Sequence, residues 1–194
     1  MYTVGKLLSS LCDPGNCSEK RKIIFDAGNP YVLHFRIDGV FITDQTIKKN
    51  DCLVIYNQPN AQQISFLFLV EVKDSSYTLD AVVSKLQNSK DILNNNVFTE
   101  LGEINNLSEV LRLLPTAYRK KTTARLVLQS LERIRKSKYR LIPVLCAKTN
   151  KARRKRNLTP RFGIKIGDNF VPILYLKHKT DAITEIRRII SIYY

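Results

Sequence analysis

The sequence contains no tryptophan, one methionine and two histidines in 194 residues. His34 and His178 stand far apart, and only Cys12 and Cys17 of the four cysteines are near neighbours, flanking the turn DPGN. A lone Cys-x4-Cys pair is half of a zinc site, so structural zinc is not expected. Cys52 and Cys146 fall inside apolar runs, where a thiol packs as a small hydrophobe. No apolar run approaches the roughly 18 residues of a membrane span. The N-terminal MYTVGKLLSSLC lacks the basic start, long apolar core and small-residue cleavage site of a secretory leader. A soluble, cytoplasmic protein is expected. No stretch joins basic charge to exposed tryptophan or phenylalanine, so no membrane-surface role is expected. The seven glycines are scattered, which leaves no phosphate-cradling loop. No repeat and no Gly/Ser-rich or Pro-rich linker divides the chain, so residues 1–194 are expected to form a single domain.

Charge is plentiful but unevenly spread. Residues 1–100 carry 10 Lys/Arg against 11 Asp/Glu, and residues 101–194 carry 22 against 6, for a net charge of +15 overall. Between Arg112 and Lys165 there are 18 basic residues and one acid, Glu132. A field of one sign that dense repels itself unless an anionic partner compensates, and the phosphate backbone is the usual partner. Arg119, Lys120, Lys121 and Arg125 on a predicted helix, and Lys151, Arg153, Arg154, Lys155 and Arg156 on a predicted loop, are therefore candidates for nucleic-acid binding. A solvated helix surface and a flexible basic loop are the alternatives.

Periodicity sketches the elements. A short helix is expected over residues 3–11, then two or three strands in KIIFDA and YVLHFRIDGVFIT, divided by Gly28, Asn29 and Pro30 and by Asp38 and Gly39. Leu79, Val82, Val83 and Leu86 fall on one helical face. The Asn-rich residues 88–108 are expected as loop, with Ser108 capping a short helix that Pro115 interrupts. A longer helix is expected from Thr116 to Lys136, buried along Ala124, Val127, Leu128, Leu131 and Ile134. RLIPVLCAK reads as a strand whose Pro143 suits an edge or bulge. A hairpin follows in FGIKI-GDN-FVPILYLK, and then a final helix with Ile183, Ile186, Ile190 and Tyr193 on one face. Tyr193 and Tyr194 at its end are expected to dock either on the chain itself or on a second copy, the second alternative being a homodimer.

The densest signal is NDCLVIYNQPNAQQISFLFLVEVK, Asn50 to Lys73. Two apolar runs rich in β-formers flank a polar turn, which predicts a hairpin. With the loop centred on Ala61, partner numbers sum to 122, so Asp51 lies opposite Glu71 with Cβ atoms about 5 Å apart. Lys73 shares their face with Leu53, Ile55, Leu67 and Leu69, and Val54, Phe66, Phe68 and Val70 form the other. A hairpin apolar on both faces belongs inside a sheet. Two carboxylates side by side at its end repel in a low dielectric, and a divalent cation held by oxygen ligands is the economical relief. Asp51 as a strand-start residue, with Glu71 and Lys73 as a solvated strand end, is the alternative.

An Asp opening one strand, a Glu-x-Lys closing the next and an amphipathic helix after it resemble the PD-(D/E)XK nuclease superfamily. The residues are Asp51, Glu71, Val72 and Lys73, with Asn50 where the family has proline; the resemblance covers Tyr31 to Leu93. It implies a restriction-endonuclease-like α/β fold, a central mixed sheet flanked by helices. It further implies Mg²⁺, with Mn²⁺ as substitute, held by Asp51, Glu71 and the Val72 carbonyl, with Lys73 acting on the water or phosphate. Gln87 stands where several branches carry an accessory glutamine, and Glu19 is the candidate for the additional acid of many members. The implied activity is metal-dependent endonucleolytic hydrolysis, with DNA favoured over RNA because most of the family cuts DNA. Two other readings stay open: a catalytically inactive nucleic-acid-binding subunit of a repair, recombination or defence complex on the same fold, and a basic RNA-binding protein without an active site.

Overall fold

A computed structural model describes residues 2–12, 31–37, 51–59, 63–74, 76–148, 162–178 and 185. The expected strand KIIFDA, the residues from Asp38 to Asn50, Glu19, the basic loop with Lys151 and Arg153 to Arg156, and all of the final helix except Glu185 lie outside the described residues.

The hairpin forms in the expected register. β3 (Cys52–Asn57) and β4 (Ser65–Lys73) pair antiparallel from Cys52 with Val70 to Asn57 with Ser65, every pair summing to 122. Both strands are buried on both faces, and they occupy the middle of a six-stranded sheet. β1 (Leu11–Cys12) and β2 (Val32–Arg36) extend it antiparallel on one side. β5 (Tyr139–Ala147) and β8 (Leu174–Lys177) extend it parallel on the other, in the order β1-β2-β3-β4-β5-β8. The protein is thus a mixed α/β structure with a central mixed sheet. β6 (Gly163–Ile166) and β7 (Asn169–Pro172) form a separate hairpin, turned at Gly167, whose φ of 58° suits glycine. Pro143 sits just before Val144, where pairing with β8 begins, on a stretch of β5 with one partner strand.

The parallel step from β4 to β5 requires a crossover, and helices supply it. α2 (Leu79–Ile92) starts at Thr78, whose side chain accepts the Ala81 N–H, and buries Val82, Leu86 and Ser89. The Asn-rich segment is not a loop: α2 runs on through a π-helical turn, Leu93–Phe98, into α3 (Thr99–Glu103). Leu93, Val97 and Leu101 recur at intervals of four and are buried, while Asn95 and Asn96 face solvent; burial of that stripe outweighs the low helix propensity of asparagine. Glu100 of α3 then caps α1 (Tyr2–Ser9), its Oε2 accepting the Thr3 and Val4 N–H groups at 2.7 and 3.0 Å and the Thr3 hydroxyl.

α4 (Leu107–Val110) is capped by Asn106, not Ser108: Asn106 Oδ1 accepts the Ser108 N–H at 3.1 Å. The long helix expected from Thr116 is likewise broken. A 3₁₀ turn at Thr116–Tyr118 ends at Arg119, and α5 (Lys121–Arg135) starts after Lys120, whose backbone is extended at ψ 140°. Val127, Leu131 and Ile134 are buried on α5 as expected, together with Leu126 and Ser130. Ser130 anchors the helix to the hairpin: Asn57 Nδ2 donates to its hydroxyl at 2.7 Å, and the Ser65 hydroxyl donates to Asn57 Oδ1 at 2.5 Å. All five α-helices among the described residues contribute to the core that packs on the face of Leu53, Ile55, Leu67 and Leu69. Cys52 and Cys146 lie in the second core, on the opposite face. Among the described residues no helix is long and apolar enough to cross a membrane.

Candidate active site

Asp51 is the residue before β3, and its backbone still belongs to the sheet: its N–H donates to the Val70 carbonyl at 3.1 Å and its carbonyl accepts from Ile37 N–H at 3.3 Å. With backbone so fixed, its carboxylate turns across the strand end, where Oδ2 accepts the Val72 N–H at 2.6 Å. In a strand one residue's N–H and C=O point to the same side, so the Val72 carbonyl is directed toward the Asp51 side as well. Glu71 and Lys73 follow by the two-residue period on the face of Leu67 and Leu69, and Lys73 Nζ meets Glu71 Oε1 at 2.7 Å. Lys73 is also held through its main chain, paired with Ala147 of β5. Its carbonyl lies 2.8 Å from His178 Nε2, an approach that requires that nitrogen to carry the proton, because a carbonyl only accepts.

A fourth side chain completes the group. Lys85 of α2 places Nζ 2.7 Å from the same Glu71 Oε1. Glu71 is wholly buried, while the Lys73 and Lys85 side chains are 27% and 21% exposed, so the lysines separate the carboxylate from solvent. Glu71 Oε2 is buried and has no hydrogen-bond partner among the described residues. Native interiors rarely leave such an acceptor unmatched. Asp51 responds to this environment: burial, then the Glu71 charge, push its carboxyl from 3.8 up to about 6, against the opposing pull of the Val72 N–H and the two lysines. Lys73 moves upward from its ordinary value. Burial works against that shift, and the Glu71 hydrogen bond and charge, with the Asp51 charge, outweigh it.

Gln87 is not part of this group. Its Oε1 accepts the Lys165 N–H at 2.9 Å and its Nε2 donates to Asp91 and to the Lys165 carbonyl, so it clamps β6 against α2. Helical geometry accounts for the difference. At about 100° per residue, Lys85 lies about 60° from Val82 at the centre of the buried stripe and Gln87 about 140° from it. That angle was available in the sequence and puts Lys85 nearer the sheet than Gln87, without saying which flank of α2 meets the acid pair; His178 carried no local signal at all.

Of the basic candidates, Arg119 spends its guanidinium on the carbonyls of Leu114 and Arg112, at 2.9 and 2.8 Å, which closes the turn before α5. Arg133 and Arg135 likewise donate to the carbonyls of Ile64 and Ile104. Lys120 and Arg125 are exposed, and Lys121 opens α5.

The oxygen donors of Asp51, Glu71 and Val72 suit a hard divalent cation. Magnesium is commonly held by one or two carboxylates with substrate phosphates and water completing its shell, which matches two carboxylates and one unmatched buried oxygen. Among the described residues no three His, Cys, Asp or Glu side chains converge, which argues against a cage made entirely of protein ligands there. Comparison with known proteins adds no relative: no family model, no curated protein and no solved structure matches the chain.

Proposed function

We propose that the chain is a metal-dependent nuclease of the PD-(D/E)XK type, built on a restriction-endonuclease-like version of this fold and hydrolysing phosphodiester bonds, with DNA the favoured substrate. The observation that carries the reading is the buried Glu71, with one carboxylate oxygen unmatched, beside Asp51 and under Lys73 at the end of two central strands. Asp51, Glu71 and the Val72 carbonyl would hold Mg²⁺, which when bound supplies a Lewis acid at the phosphate and a more acidic water. The protein's own contribution is electrostatic and positional. Lys73 presents an ammonium that is kept charged by Glu71 and is partly open to solvent, where it can stabilise charge growing on a phosphate. The sheet fixes the backbone at both carboxylates, so little reorganisation is needed when substrate arrives. The basic second half supplies backbone contacts that position nucleic acid without reading its sequence.

The test is incubation of plasmid, linear and branched DNA, and RNA, with Mg²⁺ or with EDTA. Cleavage is expected only with the metal. Asp51→Asn, Glu71→Gln and Lys73→Ala should each lower it at least about a hundredfold, in the range seen when a group that stabilises developing charge is removed. Binding without cleavage, equal in Mg²⁺ and in EDTA, would instead favour the inactive binding subunit. Cleavage that survives all three substitutions would place the active site elsewhere.

A further inference from the structure

We propose that Lys85 couples the divalent cation to the nucleic-acid phosphate, so that each is bound weakly alone and the two are taken up together. The inference rests on the nuclease reading and assigns a role to a residue that reading does not need. Two carboxylates and one lysine would leave a site of charge −1, which attracts a divalent cation outright. With Lys85 on Glu71 Oε1 beside Lys73, at 2.7 Å each, the four side chains already balance when both acids are ionised. A divalent cation entering that group leaves an excess of two positive charges around a wholly buried carboxylate, which is unfavourable until an anion joins it. A phosphodiester is that anion.

The fold makes this exchange feasible. α2 is held on the sheet by Val82, Leu86 and Ser89, so the Lys85 backbone stays in place while its flexible four-carbon stem can carry the ammonium from Glu71 to a phosphate oxygen. The unmatched Glu71 Oε2 keeps one oxygen available to the cation while Oε1 is occupied. Because coupling between two ligands is reciprocal, DNA must tighten metal binding by the factor by which metal tightens DNA binding. Lys85 is thus a positioning and coupling residue, distinct from Lys73, to which the cleavage step assigns the phosphate itself.

The test is calorimetric titration of Mn²⁺ into the protein alone and into its complex with a short DNA duplex, the duplex being checked for integrity afterwards. Wild type should bind Mn²⁺ at least about tenfold more tightly in the complex, the size expected for one unit charge a few ångströms from a divalent ion even under strong screening. Lys85→Gln keeps a donor for Glu71 but removes the charge. It should bind Mn²⁺ at least about tenfold more tightly than wild type in the absence of DNA and gain less from the duplex than wild type does. Lys85→Arg should restore the wild-type pattern, and Lys85→Met gives a second charge-removing variant should Lys85→Gln fold poorly. Lysine-free variants with wild-type Mn²⁺ affinity and wild-type coupling would overturn the proposal and leave the nuclease reading standing. Absence of Mn²⁺ binding by every protein, with and without duplex, would overturn both.

Discussion

Asp51 and Glu71 lie at the same end of the hairpin but are opposites in circumstance. Glu71 is fully buried and serves two ammonium groups, whereas Asp51 accepts one backbone N–H and lies in the field of Glu71. A carboxyl raised from 3.8 to about 6 in the folded protein adds stability at pH values below its unfolded pKa, and that contribution is lost as pH rises through about 6. Ionised Asp51 therefore costs stability above that range. Asp51→Asn keeps an oxygen for the Val72 N–H and removes the charge. In EDTA at pH 8 it should gain on the order of 2 kcal/mol, the shift being discounted for partial exposure, or about 4–8 °C in Tm. At pH 4 the gain should vanish. Equal melting of variant and wild type at both pH values would show that Asp51 is not strained by burial. Glu71→Gln should behave in the opposite way at pH 8, because it strips two neighbouring lysines of their shared counter-charge.

At the scale of elements, α2 has two uses: one flank brings Lys85 to the acid pair, and another docks the β6–β7 hairpin through Gln87. The amide of Gln87 occupies both the N–H and the carbonyl of Lys165, as a neighbouring strand would. Gln87→Ala should therefore speed hydrogen exchange at the Lys165 amide and cost about 1 kcal/mol, the net worth of an ordinary hydrogen bond, while leaving Mn²⁺ affinity as it was. A large loss of Mn²⁺ binding with unchanged exchange would return Gln87 to the acid group, where the family resemblance had placed it. Asn57, Ser65 and Ser130 play the corresponding part for α5, a buried polar chain with its donors matched at the far end of the same two strands.

Over the whole molecule, the charge of +15 is concentrated after residue 100, and part of it is already spent inside the fold. Arg119, Arg133 and Arg135 hold main-chain carbonyls, so the count of basic residues overstates what is offered to phosphate. Affinity for duplex DNA should still fall steeply with salt, as counterions released by each neutralised phosphate are recaptured. Neutralising Arg153, Arg154, Lys155 and Arg156 together should reduce the slope of log affinity against log salt by up to about 3–4, at roughly 0.9 for each phosphate that is no longer neutralised. An unchanged slope, measured by fluorescence anisotropy over a salt series, would remove that segment from the binding surface.

What was legible in the sequence is what lies within one element or between elements joined by a short turn. Two apolar runs around a polar loop determined the β3–β4 register, and the two-residue period then placed Glu71 and Lys73 on one face, with Asp51 at the neighbouring strand end. The same local logic marked Val82 and Leu86 as the buried side of α2. It failed where burial overrode propensity, so that asparagines 94–96 became helix, and where a side chain closed a turn, so that Asn106 and Arg119 set the boundaries around α4 and α5. Only the tertiary structure decided that Lys85 completes the acid pair and that His178 meets the Lys73 carbonyl. Lys85 depends on how α2 is rotated against the sheet, and His178, 105 residues from Lys73 in sequence, on the arrival of β8 beside β5. Those placements follow from packing between separate elements, which local periodicity does not encode.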